Sequence, residues 1–236
     1  MSGHDASRHD APSPRPIRSF VRRQGRITRA QQRALDTLWP RYGLATDEAL
    51  DEVAAFGRHA PLTLEIGFGN GESLLHQARD RPDGNFIGVE VHRPGVGRLL
   101  MALDREGIGN VRVYCADAVD VLRRCIGAGS LSTLQIYFPD PWPKKRHHKR
   151  RLIQPEFARL AASRLRPGGR WLLATDWPPY AEHMRDVLDA CPLLDNLGGE
   201  DGFTARPPER LLTRFEARGE RKGHRVYDLA FRRRPA

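Results

Sequence analysis

The chain has 236 residues, of which 39% are hydrophobic and 29% charged, and its formal net charge is +10. That length holds one large domain with a sizeable core, and the basic balance favours an anionic partner, most often nucleic acid. Three cysteines with no Cys-x-x-Cys pair argue against a disulfide scaffold and a zinc site, so no metal is expected.

No apolar run is long enough to cross a membrane, and the start of the chain lacks a signal-peptide core. The expectation is a cytoplasmic protein with no membrane contact and no obligate protein partner. Lysine occurs only at 144, 145, 149 and 222, so arginine carries most of the positive charge. Part of that excess fits a compositional bias, and the clustering of the basic residues is more informative than their number.

Residues 1–27 carry few apolar positions and read as a disordered basic tail, with residues 28–236 as the folded domain. From Thr28 a helix places Gln31, Leu35 and Leu38 on one face and is expected to end at Trp39-Pro40. A second helix is expected over 47–56, with Gly57 as its stop.

Strands and helices then alternate. Strands are expected over 62–66, 86–91, 111–114, 134–138 and 170–175. Helices follow over 72–79, from Pro94 to Gly107, from Ala118 to Cys125, over 155–165 before Pro167-Gly168-Gly169, and over 179–188. A last strand is expected over 224–231. Such alternation with short links means a parallel sheet covered by helices on both faces, with ligands bound beyond the strand C-termini. Glu65, Glu90, Asp117, Asp140 and Asp176 all fall at those ends.

The glycines of Gly67-Phe68-Gly69-Asn70-Gly71 let a ligand approach backbone at a helix N-terminus. The spacing is shorter than the dinucleotide pattern, and a carboxylate at Glu65 would repel a pyrophosphate and welcome a cationic amino-acid group. Glu90 suits a pair of ribose hydroxyls. Asp117 suits an adenine amine or, alternatively, a helix N-cap. The set fits S-adenosylmethionine (SAM) better than NAD.

After the fourth strand comes Pro139-Asp140-Pro141-Trp142-Pro143, then the run Lys144-Lys145-Arg146-His147-His148-Lys149-Arg150-Arg151. Prolines stiffen the loop around Asp140, and the basic run suits RNA phosphates. Trp142, Trp177 and Phe215 each suit stacking on a base, or a place in the core. Asp176 offers either a second acceptor for a base edge or a helix N-cap. A second basic cluster, Arg218, Arg221, Lys222, Arg225 and Arg232 to Arg234, extends the RNA surface or forms a solvated face.

With Glu65-Ile-Gly-Phe-Gly-Asn-Gly, Gly88-Val-Glu-Val, the Pro-Asp-Pro-Trp-Pro-Lys run, Thr175-Asp176-Trp177 and Thr213-Arg214-Phe215-Glu216, the chain resembles the bacterial tRNA (guanine-N7-)-methyltransferases. They are a class I SAM-dependent family, and the resemblance covers residues 28–232. It implies an α/β, Rossmann-like sheet of seven strands with the last antiparallel. It implies SAM contacts at Glu65, Glu90, Asp117 and Asp140, beside Gly67, Gly69 and Gly71, and the catalytic role for Asp140. Substrate contacts fall on Lys144, Asp176, Thr213, Arg214, Phe215 and Glu216, and RNA contacts on Arg146 to Arg151, with Lys145 beside them. The implied target is guanine 46 in the variable loop of tRNA.

Overall fold

The computed structural model describes residues 25–212, 216 and 225–235. The tail before Gly25, the substrate residues Thr213, Arg214 and Phe215, and the basic residues Arg218, Arg221 and Lys222 lie outside the described residues.

The strands are β1 (Leu62–Ile66), β2 (Asn85–Val89), β3 (Val111–Tyr114), β4 (Leu131–Tyr137), β5 (Leu165–Thr175), β6 (Leu194–Asn196) and β7 (Tyr227–Arg233). The helices are α1 (Arg29–Tyr42), α2 (Glu52–Phe56), α3 (Glu72–Asp80), α4 (Arg93–Arg105), α5 (Ala118–Arg124), α6 (Pro155–Arg164) and α7 (Pro178–Asp189). The strands form one seven-stranded sheet in the order β3-β2-β1-β4-β5-β7-β6. Pairing is parallel from β3 through β5, and β7 runs antiparallel to both β5 and β6. The order reverses beside β1, which opens the crevice where ligands bind in such sheets.

Ile66, Ile136, Leu173 and Leu229 lie level across four neighbouring strands and pack in the cluster that contains Val121, Phe157 and Met184 from α5, α6 and α7. A second cluster joins Phe68 and Phe86 to Leu74, Leu99 and Leu35 from α3, α4 and α1. Between the sheet and α3 the side-chain amides of Gln77 and Gln135 bond each other reciprocally at 2.9 and 2.8 Å.

Several boundaries depart from the sequence expectation. α1 runs past Pro40 to Tyr42. Proline costs the helix one donor and crowds the carbonyl four residues back, but the fully buried Tyr42 ties this last turn to the sheet, where Leu44 N–H bonds Val113 O at 2.9 Å. The helix expected over 47–56 begins only at Glu52, because Leu50 N–H is drawn to Cys125 O at 2.8 Å and Asp51 caps the short α2. Arg166 to Gly169 do not separate helix from strand. They form an irregular stretch within β5, whose pairing with β4 skips between Leu165 and Arg170. β6, with three residues, is too short to show a period. The start of the last strand moves to Tyr227, and His224 lies outside the described residues.

Residues 25–27, expected to belong to the tail, pack on the body instead. A Cβ on Gly25 would sit 2.8 Å from His92 Nε2, and Ile27 joins the second cluster.

Beside β7, Arg210 is buried and grips Asp228 with both arms of its guanidinium, Nε to Oδ1 at 2.6 Å and Nη2 to Oδ2 at 2.8 Å. Its Nη1 donates to Glu216 at 2.6 Å, and the side chains of all three are at most 6% exposed. Removing one partner of such a group leaves buried charge uncompensated. Arg210→Met is expected to lower unfolding free energy by about 3–5 kcal/mol in urea titrations. A decrease below about 1 kcal/mol would mean that the triad does not fix β7.

Candidate active site

The five parallel strands end along one edge, which brings Glu65, Glu90, Asp117, Asp140 and Asp176 to the same side of the sheet. There a cleft of about 740 Å³ is lined by Gly67, Glu90, His92, Ala116, Tyr137 and Asp140, among others. Gly25 and Ile27 also line it, so the chain just before α1 forms part of the site.

Gly67 and Gly69 have φ of 74° and 58°, the left-handed region that side chains resist, and a Cβ on either would meet nothing within 4 Å. The open space lets a ligand reach the loop backbone. Gly71 serves packing instead, since its Cβ would lie 2.7 Å from Leu99.

Glu90 is held by backbone. Oε1 accepts from Val91 N–H at 2.7 Å and His92 N–H at 2.9 Å, and Oε2 accepts from Gly69 N–H at 3.0 Å. Oε1 thus uses both of its acceptor sites, and Oε2 keeps one for a ligand. Asp117 is the N-cap of α5, its Oδ1 accepting from Val119 N–H at 2.8 Å. Its neighbours Ala116 and Ala118 line the cleft.

Glu65 lies beneath the loop, 4% exposed, and its Oε2 is buried without a hydrogen-bond partner. Burial, and secondly the charge of Glu90, push its carboxyl up to about 8. The Tyr137 hydroxyl is likewise buried and unpartnered, and burial and the Glu65 charge raise it well above its ordinary value. Tyr137 is a site residue that sequence reasoning missed, because an aromatic ending an apolar run looks like core.

A buried, orphaned carboxylate oxygen under an open glycine loop fits an ammonium group. The pinned Glu90 fits a diol. Glu65, Glu90, Gly67, Gly69 and the Asp117 edge are therefore the residues that would hold a cofactor carrying both groups.

On the next strand end, Phe138 and Trp142 have φ of 51° and 46°, conformations that cost on the order of 1–3 kcal/mol each outside glycine. They bracket Asp140, which is exposed and lines the cleft. Asp140 makes no hydrogen bond or ion pair to another described residue, so its carboxylate is available. Arg210 stacks over the Phe138 ring at 5.6 Å, and Arg150 over the Trp142 ring at 5.1 Å. His147 meets Trp142 edge-on at 5.8 Å, so Trp142 is only partly accessible. Trp177 is 37% exposed beside Asp176. The N-cap position of α7 is Trp177, so Asp176 does not cap that helix.

The basic run divides. Lys144 precedes a 3₁₀ helix, Lys145–Arg150, whose Lys145, Arg146, Lys149 and Arg150 are exposed, with His147 and His148 half-buried. Burial, followed by the surrounding cations, lowers the pKa of His147. Arg151 departs from the run, being 3% exposed and turned inward. Of the expected substrate segment, Glu216 is described, and it is buried on Arg210. In the second cluster Arg225 and Arg234 are spent on Asp201 at 3.5 Å and Asp195 at 2.8 Å.

The comparisons with known proteins meet this geometry. A family model described as a putative methyltransferase matches residues 59–229. A tRNA (guanine-N(7)-)-methyltransferase of Methylococcus capsulatus is 57% identical over 224 residues, covering 95% of this chain and 97% of that protein. One from Alkalilimnicola ehrlichii is 58% identical over 227 residues, covering 95% of each. The chain belongs to this methyltransferase family.

The 16S rRNA methyltransferase KamB shares the fold at a TM-score of 0.54 and 18% identity, over 80% of this chain and 95% of that one. A variant 16S rRNA (adenine(1408)-N(1))-methyltransferase from Catenulisporales acidiphilia does so at 0.51 and 14%, over 81% and 96%. The expected α/β class I methyltransferase sheet, with its last strand antiparallel, is therefore present. No helix among the described residues is long and apolar enough to cross a membrane.

Glu65 gives this family member a pH signature. Its folded-state pKa stands above the unfolded value of 4.5, so the folded chain holds a proton that the unfolded chain has released. Stability contributed at low pH is then lost as pH rises from 4.5 to about 8, by about 1.4 kcal/mol per unit. Between pH 5 and 8 the ligand-free wild type is expected to lose unfolding free energy relative to Glu65→Gln. Parallel pH profiles for the two proteins would show that Glu65 is ionised throughout.

Proposed function

We propose that this enzyme transfers the methyl group of SAM to N7 of guanine 46 in the variable loop of tRNA. The observation that carries the reading is the available Asp140 carboxylate on a proline-stiffened loop, lining the same cleft as the glycine loop and followed directly by an exposed basic 3₁₀ helix. The names of the relatives and the motif resemblance support the substrate.

When bound, SAM supplies an electrophilic methyl group on a sulfonium. Glu65 would take its ammonium, Glu90 its ribose hydroxyls and Asp117 its adenine amine. Guanine N7 carries an in-plane lone pair and no proton, so the site needs no general base, and it holds no Ser/His/Asp set among the described residues. Catalysis rests on positioning, which supplies roughly 7–11 kcal/mol when the reacting atoms are held ~3–3.5 Å apart. Asp140 accepts from guanine N1–H and N2–H₂, which adenine lacks, and stabilises the positive charge that develops on the base. Asp176 provides a second acceptor, and Trp177 is the exposed aromatic nearest in sequence. The segment 213–216 adds substrate contacts. Lys144 to Arg150 hold phosphates and orient the RNA.

The deciding experiment incubates unmodified tRNA with methyl-labelled SAM and maps the labelled nucleoside. Label in 7-methylguanosine from the variable loop is expected. Label on an exocyclic amine, or tRNA bound without label, would sink the reading. Asp140→Ala is expected to abolish transfer while largely keeping tRNA binding. Replacing Lys145, Arg146, Lys149 and Arg150 with Ala should weaken tRNA binding and flatten its salt dependence by ~0.7–0.9 log unit for each phosphate left without its cation. An unchanged salt slope would make that run a solvated face.

A further inference from the structure

The loop that carries Asp140 has an unusual shortage of backbone donors. Pro139, Pro141 and Pro143 have no N–H, so ordinary turn hydrogen bonds cannot fix it. Its upstream end is tied to the sheet by Phe138 N–H on Ala174 O at 2.8 Å. Phe138 and Trp142, on either side of Asp140, both hold strained positive φ. Strain of this kind persists only where the surroundings over-determine it.

Arg151 meets that need. Its Nε donates to Pro141 O at 2.9 Å, the carbonyl that follows Asp140. Its Nη1 reaches Pro179 O at 3.4 Å, at the start of α7 and three residues beyond Asp176. Its Nη2 lies 3.2 Å from His148 Nε2, which accepts in this arrangement. The guanidinium also lies over the buried Tyr180 ring at 4.8 Å. None of the described carboxylates forms an ion pair with it. A cation this enclosed, spending its donors on two carbonyls and an imidazole, is turned away from any phosphate.

We propose that Arg151 is a positioning residue that locks the Asp140 loop to the Asp176 end of α7 and sets the separation of the two carboxylates that receive the base. The role of those carboxylates rests on the functional reading above. The clamp itself rests on the hydrogen bonds and ring stacking alone. Its requirement is geometric, since a planar fork reaches Pro141 and Pro179 together, whereas a lysine ammonium keeps the charge and loses the fork.

The test compares wild type with Arg151→Lys. Hydrogen–deuterium exchange of the peptide 138–152 is measured without ligand, and kcat, KM for tRNA and the salt slope of tRNA binding are measured beside it. The expected result is at least tenfold faster exchange at Phe138 and His147, whose N–H groups bond Ala174 O and Lys144 O on either side of the loop, kcat lower by about a hundredfold as expected for a misplacement of ~1 Å, and an unchanged salt slope. Unchanged exchange and kcat in Arg151→Lys would overturn the proposal, because a charge acting on phosphate survives that substitution. Arg151→Gln separates the cases again. A salt slope flattened by ~0.7–0.9, with exchange unaltered, would make Arg151 a phosphate contact and remove the clamp. If wild type itself transfers no methyl group to tRNA, the functional reading fails, while the exchange comparison still decides the clamp.

Discussion

Five carboxylates line one edge of the sheet, and burial together with the nearby charge of Glu90 holds one of them, Glu65, above its ordinary pKa. The surroundings of four of them differ in kind. Glu90 accepts from three backbone N–H groups from two loops. Asp117 gives one oxygen to the first turn of α5. Glu65, enclosed and without a partner on Oε2, keeps its proton up to about pH 8 until something cationic arrives. Asp140 stays exposed to water. The same edge thus contains a rigid acceptor, a capped acceptor, a proton-holding acid and an exposed carboxylate, each set by its surroundings and not by residue type.

The second constraint is rigidity without backbone hydrogen bonds. The three prolines reduce the loop's conformational freedom, yet they also remove the donors that would hold it in place. Aromatic hinges and guanidinium groups take over. Phe138 lies under Arg210, which is itself fixed by Asp228 and Glu216, and Trp142 lies under Arg150. Through Arg210 the strained hinge is coupled to Glu216, the end of the segment matched to substrate contact, so β7 reports on both.

How much of this was legible in the sequence follows the range of the interactions. The glycine loop, the strand-end acids and the start of α1 after Thr28 are local patterns, and each stands where the sequence places it. Boundaries failed where tertiary pull won, as at Pro40 and Leu50, where a long-range backbone bond or a buried tyrosine outweighed local punctuation. β6 is set by its pairing with β7 and carries no period of its own. The division of the basic run was invisible too, because eight consecutive cationic or imidazole residues look alike until a turn places one of them inside. A 3₁₀ helix of six residues makes two turns, and Arg151, just beyond it, is swung to the protein side.

That division also resolves an apparent conflict in the charge. A cleft edged by acids repels a polyanion, although the chain as a whole is strongly basic. Screening sets the two scales apart. At physiological salt a charge is felt over about 8 Å, so under the proposed function phosphates held at the exposed 3₁₀ helix would be governed mainly by its cations. A base has no charge to repel and carries N–H donors that the carboxylates accept. Only a nucleotide splayed from its helix can present its base to the acids while its phosphates remain on the basic side, since N7 of a stacked guanine faces a groove too narrow for side chains. Under the proposed function the site would therefore favour an unstacked guanine, and Arg151, placed at the junction of the two regions, belongs to the rigid acidic half.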